Sequence, residues 1–152
     1  MAAQPDVFTA VETVNTRYLE TLMGYNARRA ALRVIERFLG HMAPYDLRPV
    51  DFSILSLITH NPGITSRQLG TTLKIRPPNL VGKIAVFEKR GLIERQPHPL
   101  GGRAVGLHLT PHGTTVMAGA ERAVTSLEDE VTSRLSATEK KTLLRLLQKI
   151  YL

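Results

Sequence analysis

Two adjacent prolines, Pro77 and Pro78, constrain this chain more than any other feature. Neither can enter a helix already under way, yet both fit the first turn of a new one. They divide residues 64–90 into two short helices. Before them, Thr65 can N-cap a helix, Gln68 can complete a capping box, and Ile64 with Leu69 can form a hydrophobic staple. The first helix therefore begins at Ser66 and ends near Leu73, leaving residues 74–76 as the turn. From Pro77, the positions Leu80, Ile84 and Phe87 recur at the spacing of one buried helical stripe, and Gly91 ends the second helix. Residues 92–96 and 104–109 then read as strands. In the second, Val105, Leu107 and Leu109 are expected to face inward, with Gly106 and His108 outward. The connection PHPLGGR is a loop.

Helix, short turn, helix and a hairpin with a basic tip is the layout of a winged helix-turn-helix. The stretch from Leu47 to Gly113 closely resembles the MarR family of bacterial transcriptional regulators, most specifically in PPNLVG, in EKRGLIER at the entry to the wing, and in GR and LHLTPHG at its exit. The flanks match in outline. The resemblance implies a mainly α fold with a small β-hairpin wing, and a homodimer built by N- and C-terminal dimerisation helices. It further implies an operator on double-stranded DNA and release by a small molecule, often an aromatic acid or its thioester, bound between dimer helices and reading region. One departure stands out. Where the family usually carries Asp-Arg-Arg at the wing tip, this chain has Gly102, Arg103 and Ala104, so the minor-groove arginine is present without its usual acidic neighbour.

The chain's 152 residues suit a single structural domain able to bury its own core. Three parts are expected within it: a tail and dimerisation helix over 1–47, the DNA-reading region over 48–110, and dimerisation helices over 111–152. With no cysteine, disulfides and thiolate metal sites are excluded. The opening MAAQPDVFTAVETV lacks the charged and apolar regions of a signal peptide, and no apolar run approaches a membrane span. A cytoplasmic protein with no membrane partner is the expectation.

The net charge of +7 is unevenly spread. Between Arg48 and Thr110 stand nine basic residues against three acidic ones, whereas the two flanks together carry eleven against ten. Charge alone is compatible with plain solubility. Above a helix-turn-helix pattern, it fits phosphate neutralisation.

The first ten residues show no apolar partner pattern. Residues 16–42 read as one long helix, with Leu22, Tyr25, Leu32, Ile35, Leu39 and Met42 near one side. Arg29, Arg33 and Arg37 share a face, which suits either a solvated stripe or a cationic surface for an anionic effector or flanking phosphates. Pro49 opens another helix, with Val50, Ile54, Leu57 and Ile58 inward and Asp51, Ser53 and Ser56 on outer faces. After the wing, Thr110-Pro111 starts a long helix with a stripe through Val116, Ala120, Ala123, Leu127, Val131 and Leu135. Ser136 and Glu139 cap a last helix carrying Leu143, Leu144, Leu146, Leu147, Ile150, Tyr151 and Leu152. That is more apolar surface than one contact can hide. A second copy related by a two-fold axis is the economical partner.

The residues expected on DNA follow from this layout. Pro78, Asn79, Gly82, Lys83 and Val86 lie on the exposed side of the second helix, where Asn79 suits adenine and Lys83 suits guanine or phosphate. Arg67, Thr71 and Arg76 suit phosphates, and Arg103 suits the minor groove. Tyr25, Arg29, His41, Met42, Phe52, Leu55 and Met117 are candidates to line an effector cleft, although each taken singly is better read as core at the junction. No cofactor or metal is expected. His108 and His112 stand four residues apart but across a strand end and a helix start, with no third ligand near. Neither a phosphate-binding glycine loop nor GxSxG or HExxH is present, so no enzyme is indicated. The scattered tyrosines and phenylalanines form no stacking platform for single strands. Against the repressor stands one other class, a winged-helix module binding an acidic protein or nucleic acid without sequence preference.

Overall fold

Side-chain hydrogen bonds break the first long helix that the sequence leads one to expect. The computed structural model describes residues 13–152, so the expectation for the first ten residues lies outside the described residues. The chain divides into two units, residues 1–33 and 34–152. In the first, α1 (Arg17–Glu20) stops after one turn, and α2 (Met23–Met42) starts afresh. The Thr21 hydroxyl donates to the Tyr18 carbonyl at 2.7 Å, and the Asn26 amide donates to the carbonyls of Glu20 and Leu22, each at 2.8 Å. The Glu20 carbonyl takes the Asn26 amide where a ladder N–H would have bonded, while the Tyr18 and Leu22 carbonyls share their side-chain donors with the N–H groups of Thr21 and Asn26, each at 3.1 Å. Side chains of this kind compete with a helix.

The second unit holds the rest of α2, a 3-10 turn at Ala43–Tyr45, and α3 (Pro49–His60), α4 (Ser66–Leu73) and α5 (Pro77–Lys89). Then come β1 (Ile93–Pro97), β2 (Val105–Leu109), α6 (Pro111–Val131) and α7 (Ala137–Tyr151). The expected caps are all formed. The Thr65 hydroxyl accepts from the Gln68 N–H while Gln68 accepts from the Thr65 N–H, and Ser136 with Glu139 repeats this exchange. The Thr110 hydroxyl accepts from the Gly113 N–H at 2.9 Å. Leu69, Leu80, Ile84 and Phe87 from the two reading-region helices meet Ile54 and Ile58 of α3 in one core. Burial of such side chains stabilises by about 1.5–3 kcal/mol each. It also sets which face of α5 points outward.

The strands pair antiparallel from Ile93 opposite Leu109 to Pro97 opposite Val105. Their facing differs from the simple alternation expected. Gly106 is buried and Val105 is exposed. The reason lies in the loop before α4, which behaves as a third strand: Gly63 N–H donates to the Leu107 carbonyl and Leu107 N–H to the Ile64 carbonyl, both at 2.9 Å. A Cβ on Gly106 would lie 2.8 Å from the Gly63 carbonyl oxygen, so only glycine allows this approach.

Three further expectations are corrected. Asp51 is not on an outer face but 7% exposed, while Val50, expected inward, is exposed. Leu135 does not extend the α6 stripe, because the helix ends at Val131. No residue of α7 is buried, and its four leucines are each at least 40% exposed. Among the described residues, no helix is long and apolar enough to cross a membrane.

Candidate nucleic-acid interface

With Leu80, Ile84 and Phe87 locked into the core, α5 presents Pro78, Asn79, Val81, Gly82, Ala85 and Val86 to the outside. Three contacts hold the helix in this orientation. The Arg90 guanidinium, just past its end, donates to the carbonyls of Tyr45 and Asp46 at 2.7 and 2.9 Å. Glu88 takes two hydrogen bonds from Arg95 of β1, at 2.6 and 3.2 Å, in the fork geometry that suits a carboxylate. Those bonds hold the Glu88 carboxyl below its ordinary pKa and the Arg95 guanidinium above its own; partial burial opposes both shifts and is outweighed. Finally, Lys83 Nζ lies 2.6 Å from Asp51 Oδ1, while the other Asp51 oxygen accepts from the Arg48 N–H at 3.0 Å.

These contacts sort the basic residues. Arg90, Arg95 and Lys83 are each engaged by a carbonyl or carboxylate of the chain itself. Arg67, Arg76 and Arg103 are exposed, and among the described residues none of them forms an ion pair. Lys83, expected to face DNA, is thus engaged with Asp51, although its side chain keeps 35% of its exposure.

Helix α5 stands between two open depressions. One, of about 430 Å³, is bounded by Arg67, Gly70 and Thr71 on the α4 side and by Pro77 and Val81 on α5. The other, of about 700 Å³, is bounded by Val50, Lys74, Ile75 and Arg76 and by Asn79, Gly82, Lys83 and Val86. A ridge with a cation-bearing trough on each side matches a major groove, whose floor lies between two phosphate ridges. The wing tip is closed by His98 N–H donating to the Ala104 carbonyl at 3.1 Å and by Gly101 N–H donating to the His98 carbonyl at 3.0 Å. Gly101 and Gly102 both take left-handed φ, at 75° and 74°, and this turn leaves Arg103 exposed.

The sequence-derived DNA set therefore falls on α4, on the turn before α5, on α5 itself and on the wing. Sequence reasoning passed over Val81 and Ala85, which become visible once the buried stripe is subtracted from the helix. It also missed Asp51, whose partner is distant in sequence.

The candidate effector residues divide differently. Met42, Leu55 and Met117 are each at most 1% exposed and belong to the core. Phe52 packs edge-on against Phe38 with ring centroids 5.9 Å apart. His41 Nε2 lies 3.0 Å from Glu130, which also pairs with Arg37 at 3.2 Å. Tyr25 is half-buried and Arg29 exposed on the first part of α2. Among the described residues no group of three or more His, Cys, Asp or Glu could hold a metal ion, and His108 lies against Gly63 while His112 is exposed.

Residues 45–104 match the family model described as the MarR family. A solved structure of the transcriptional repressor CouR bound to a 23-mer DNA duplex superposes with a TM-score of 0.85 and 37% identity, covering 91% of this chain and 99% of that one. CouR bound to p-coumaroyl-CoA superposes at 0.79, again with 37% identity, covering 91% of this chain and 97% of that one. A curated relative from Thauera aromatica, provisionally named as the transcriptional regulatory protein for the hcr operon, is 28% identical over 130 residues, 85% of this chain and 78% of its own length. A reading helix between cationic troughs, a glycine-turned wing and these likenesses lead to one conclusion: the chain belongs to the MarR family of winged helix-turn-helix transcriptional regulators.

Proposed function

We propose that the protein is a dimeric repressor that binds a pseudo-palindromic operator and leaves it when a small aromatic acid, or its thioester, binds. The observation that carries the reading is the outward face of α5, flanked by depressions that carry Arg67 on one side and Lys74 and Arg76 on the other. In this reading Pro78, Asn79 and Gly82 meet base edges, Arg67, Thr71 and Arg76 meet phosphates, and Arg103 enters the minor groove. Lys83 joins them only by giving up Asp51.

Residues 48–110 form the reading region, and the flanks, 1–47 and 111–152, form the dimer. The unburied leucines of α7 support that assignment. Two reading helices related by a two-fold axis would enter major grooves about 10 base pairs apart. For the effector, support comes from CouR, solved with p-coumaroyl-CoA. Because Met42, Leu55 and Met117 are buried here, a ligand reaching them must favour a different packing of this core, and through it a state poorly spaced for DNA.

A gel-shift titration of the full chain on its own upstream DNA, with random duplex as competitor at physiological salt, tests the reading. Binding to one segment at least 10³-fold tighter, roughly the usual specificity ratio, is expected, and it should be reversed by an aromatic acid or its coenzyme A thioester. Equal binding to competitor would replace the repressor with a non-specific winged-helix module.

A further inference from the structure

We infer that α5 selects its operator chiefly by thymine methyl groups, a reading that rests on the DNA-binding function proposed above. The outward face of this helix is unusual for a surface that would meet a polar groove. Val81 and Val86 are 59% and 51% exposed, Ala85 and Pro78 are exposed beside them, and none of the four contributes to the core. Gly82 lies amid them, and a Cβ there would meet nothing within 4 Å. Pro77 and Pro78 have no N–H to donate. Lys83 is held by Asp51, so Asn79 is the polar side chain left in the middle of the face.

The occupant follows from charge and from chemistry. Arg67, Lys74, Arg76 and Arg103 around the helix fit a polyanion rather than an apolar protein surface. Within a duplex, the thymine C5-methyl is the apolar group that the major-groove edge presents, and small aliphatic side chains are what contact it. Val81 and Val86 stand about 140° apart around the helix axis, with Gly82 between them. They therefore face opposite walls of the groove and meet thymines on opposite strands. The glycine lets the helix settle deeply enough for both contacts. Each half-site should accordingly be rich in A·T pairs with thymine on both strands, Asn79 adding its amide to an adenine.

The experiment uses the full chain and the operator found by footprinting its upstream DNA. Thymines in each protected half-site are replaced one at a time by deoxyuridine, which removes the methyl group and keeps every hydrogen-bonding atom. Affinity should fall about fourfold per methyl lost at two or more positions, including one on each strand. Val81→Ala and Val86→Ala, read alongside, should each weaken thymine operator while leaving affinity for one deoxyuridine-substituted operator nearly unchanged, pairing side chain with base. Since both valines are exposed and alanine is the better helix former, thermal midpoints of the variants should not fall below the parent's. Undiminished binding to fully deoxyuridine-substituted half-sites, or an equal loss by the variants on both DNAs, would overturn the inference and leave the repressor reading intact. Failure to prefer any DNA segment would remove the repressor reading itself, and this inference with it.

Discussion

The ammonium of Lys83 lies 2.6 Å from a carboxylate oxygen of Asp51, and so ties the reading helix to the start of α3. The two ends differ in environment: the Asp51 side chain is 10% exposed, the Lys83 side chain 35%. Removing Lys83 leaves a nearly buried carboxylate without its counter-charge. A double-mutant cycle on Asp51→Asn and Lys83→Met, read by urea denaturation, should return a coupling of about 1 kcal/mol or more. Lys83→Met should leave the salt slope of operator binding unchanged. A coupling near zero together with a lower slope would show that Lys83 serves phosphate rather than Asp51.

Arg103 occupies the opposite situation, exposed on a turn made by two left-handed glycines. Arg103→Ala should weaken operator binding and lower the salt slope by about one unit, the loss of a single phosphate-neutralising charge. Folding stability should not move. Replacing Gly102 by Asp, the residue the family usually carries there, tests whether an acidic neighbour steadies the arginine. Because φ of 74° strains any side chain, Gly102→Asn is the reference, and the Asp variant should bind operator more tightly than the Asn variant.

Gly82 and Gly113 should respond in opposite senses to alanine. At Gly82 an added methyl meets open space, so Gly82→Ala should stabilise the free protein by about 1 kcal/mol through helix propensity while weakening operator binding. At Gly113 the added methyl would run into the Leu92 carbonyl, and Gly113→Ala should cost about 3 kcal/mol. Thermal and urea melts of the two variants would check both signs.

The fork between Arg95 and Glu88 makes part of the stability depend on pH. Glu88 sits below its ordinary 4.5 in the folded chain, because Arg95 hydrogen-bonds its charged form. The unfolded chain therefore binds the proton first as acid is added. The contribution is complete above the unfolded carboxylate pKa and is lost as pH falls through the folded one. Glu139, with the Ser136 N–H bonded to its carboxylate, shifts in the same sense. Arg95→Gln should flatten the acid limb of a melting-temperature profile, with little change in its shape near neutrality. An acid limb identical to the parent's would rule out this role for the pair.

If α7 forms the dimer, charge on its apolar side should dissociate it. Leu143→Glu combined with Leu147→Glu, both exposed in the single chain, should leave the helical content of the monomer near that of the parent. Sedimentation should show one chain instead of two, and operator affinity should fall by orders of magnitude. A parent chain that sediments as a monomer would defeat the assignment directly.

Features written in neighbouring residues were legible before the structure. Thr65 with Gln68, Ser136 with Glu139 and the Pro77-Pro78 pair place helix starts within one turn of chain, and each start is found where expected. The leucines of α7 revealed a surplus of apolar surface by count alone. What escaped depends on residues far apart in sequence. Asp51 reads as an outer-face residue because its partner stands at position 83, and Gly106 reads outward because nothing local shows that Gly63 closes over it. The break after α1 escaped for another reason. Thr21 and Asn26 do not forbid a helix; they offer its carbonyls other donors, and a reading by apolar period does not weigh that.

The backbone-to-backbone closure of Gly106 on Gly63 fixes a separation. The loop that receives it runs directly into the Thr65 cap of α4, and β2 leads back to the foot of the wing. The stem of the wing is thus tied by backbone to the start of the α4–α5 pair, and the two left-handed glycines lie beyond that tie. On the proposed reading, with Arg103 in the minor groove and α5 in the major one, the protein acts like the jaws of a caliper set to one gauge and spans a single distance between them. A duplex with another local geometry would have to be reshaped to fit.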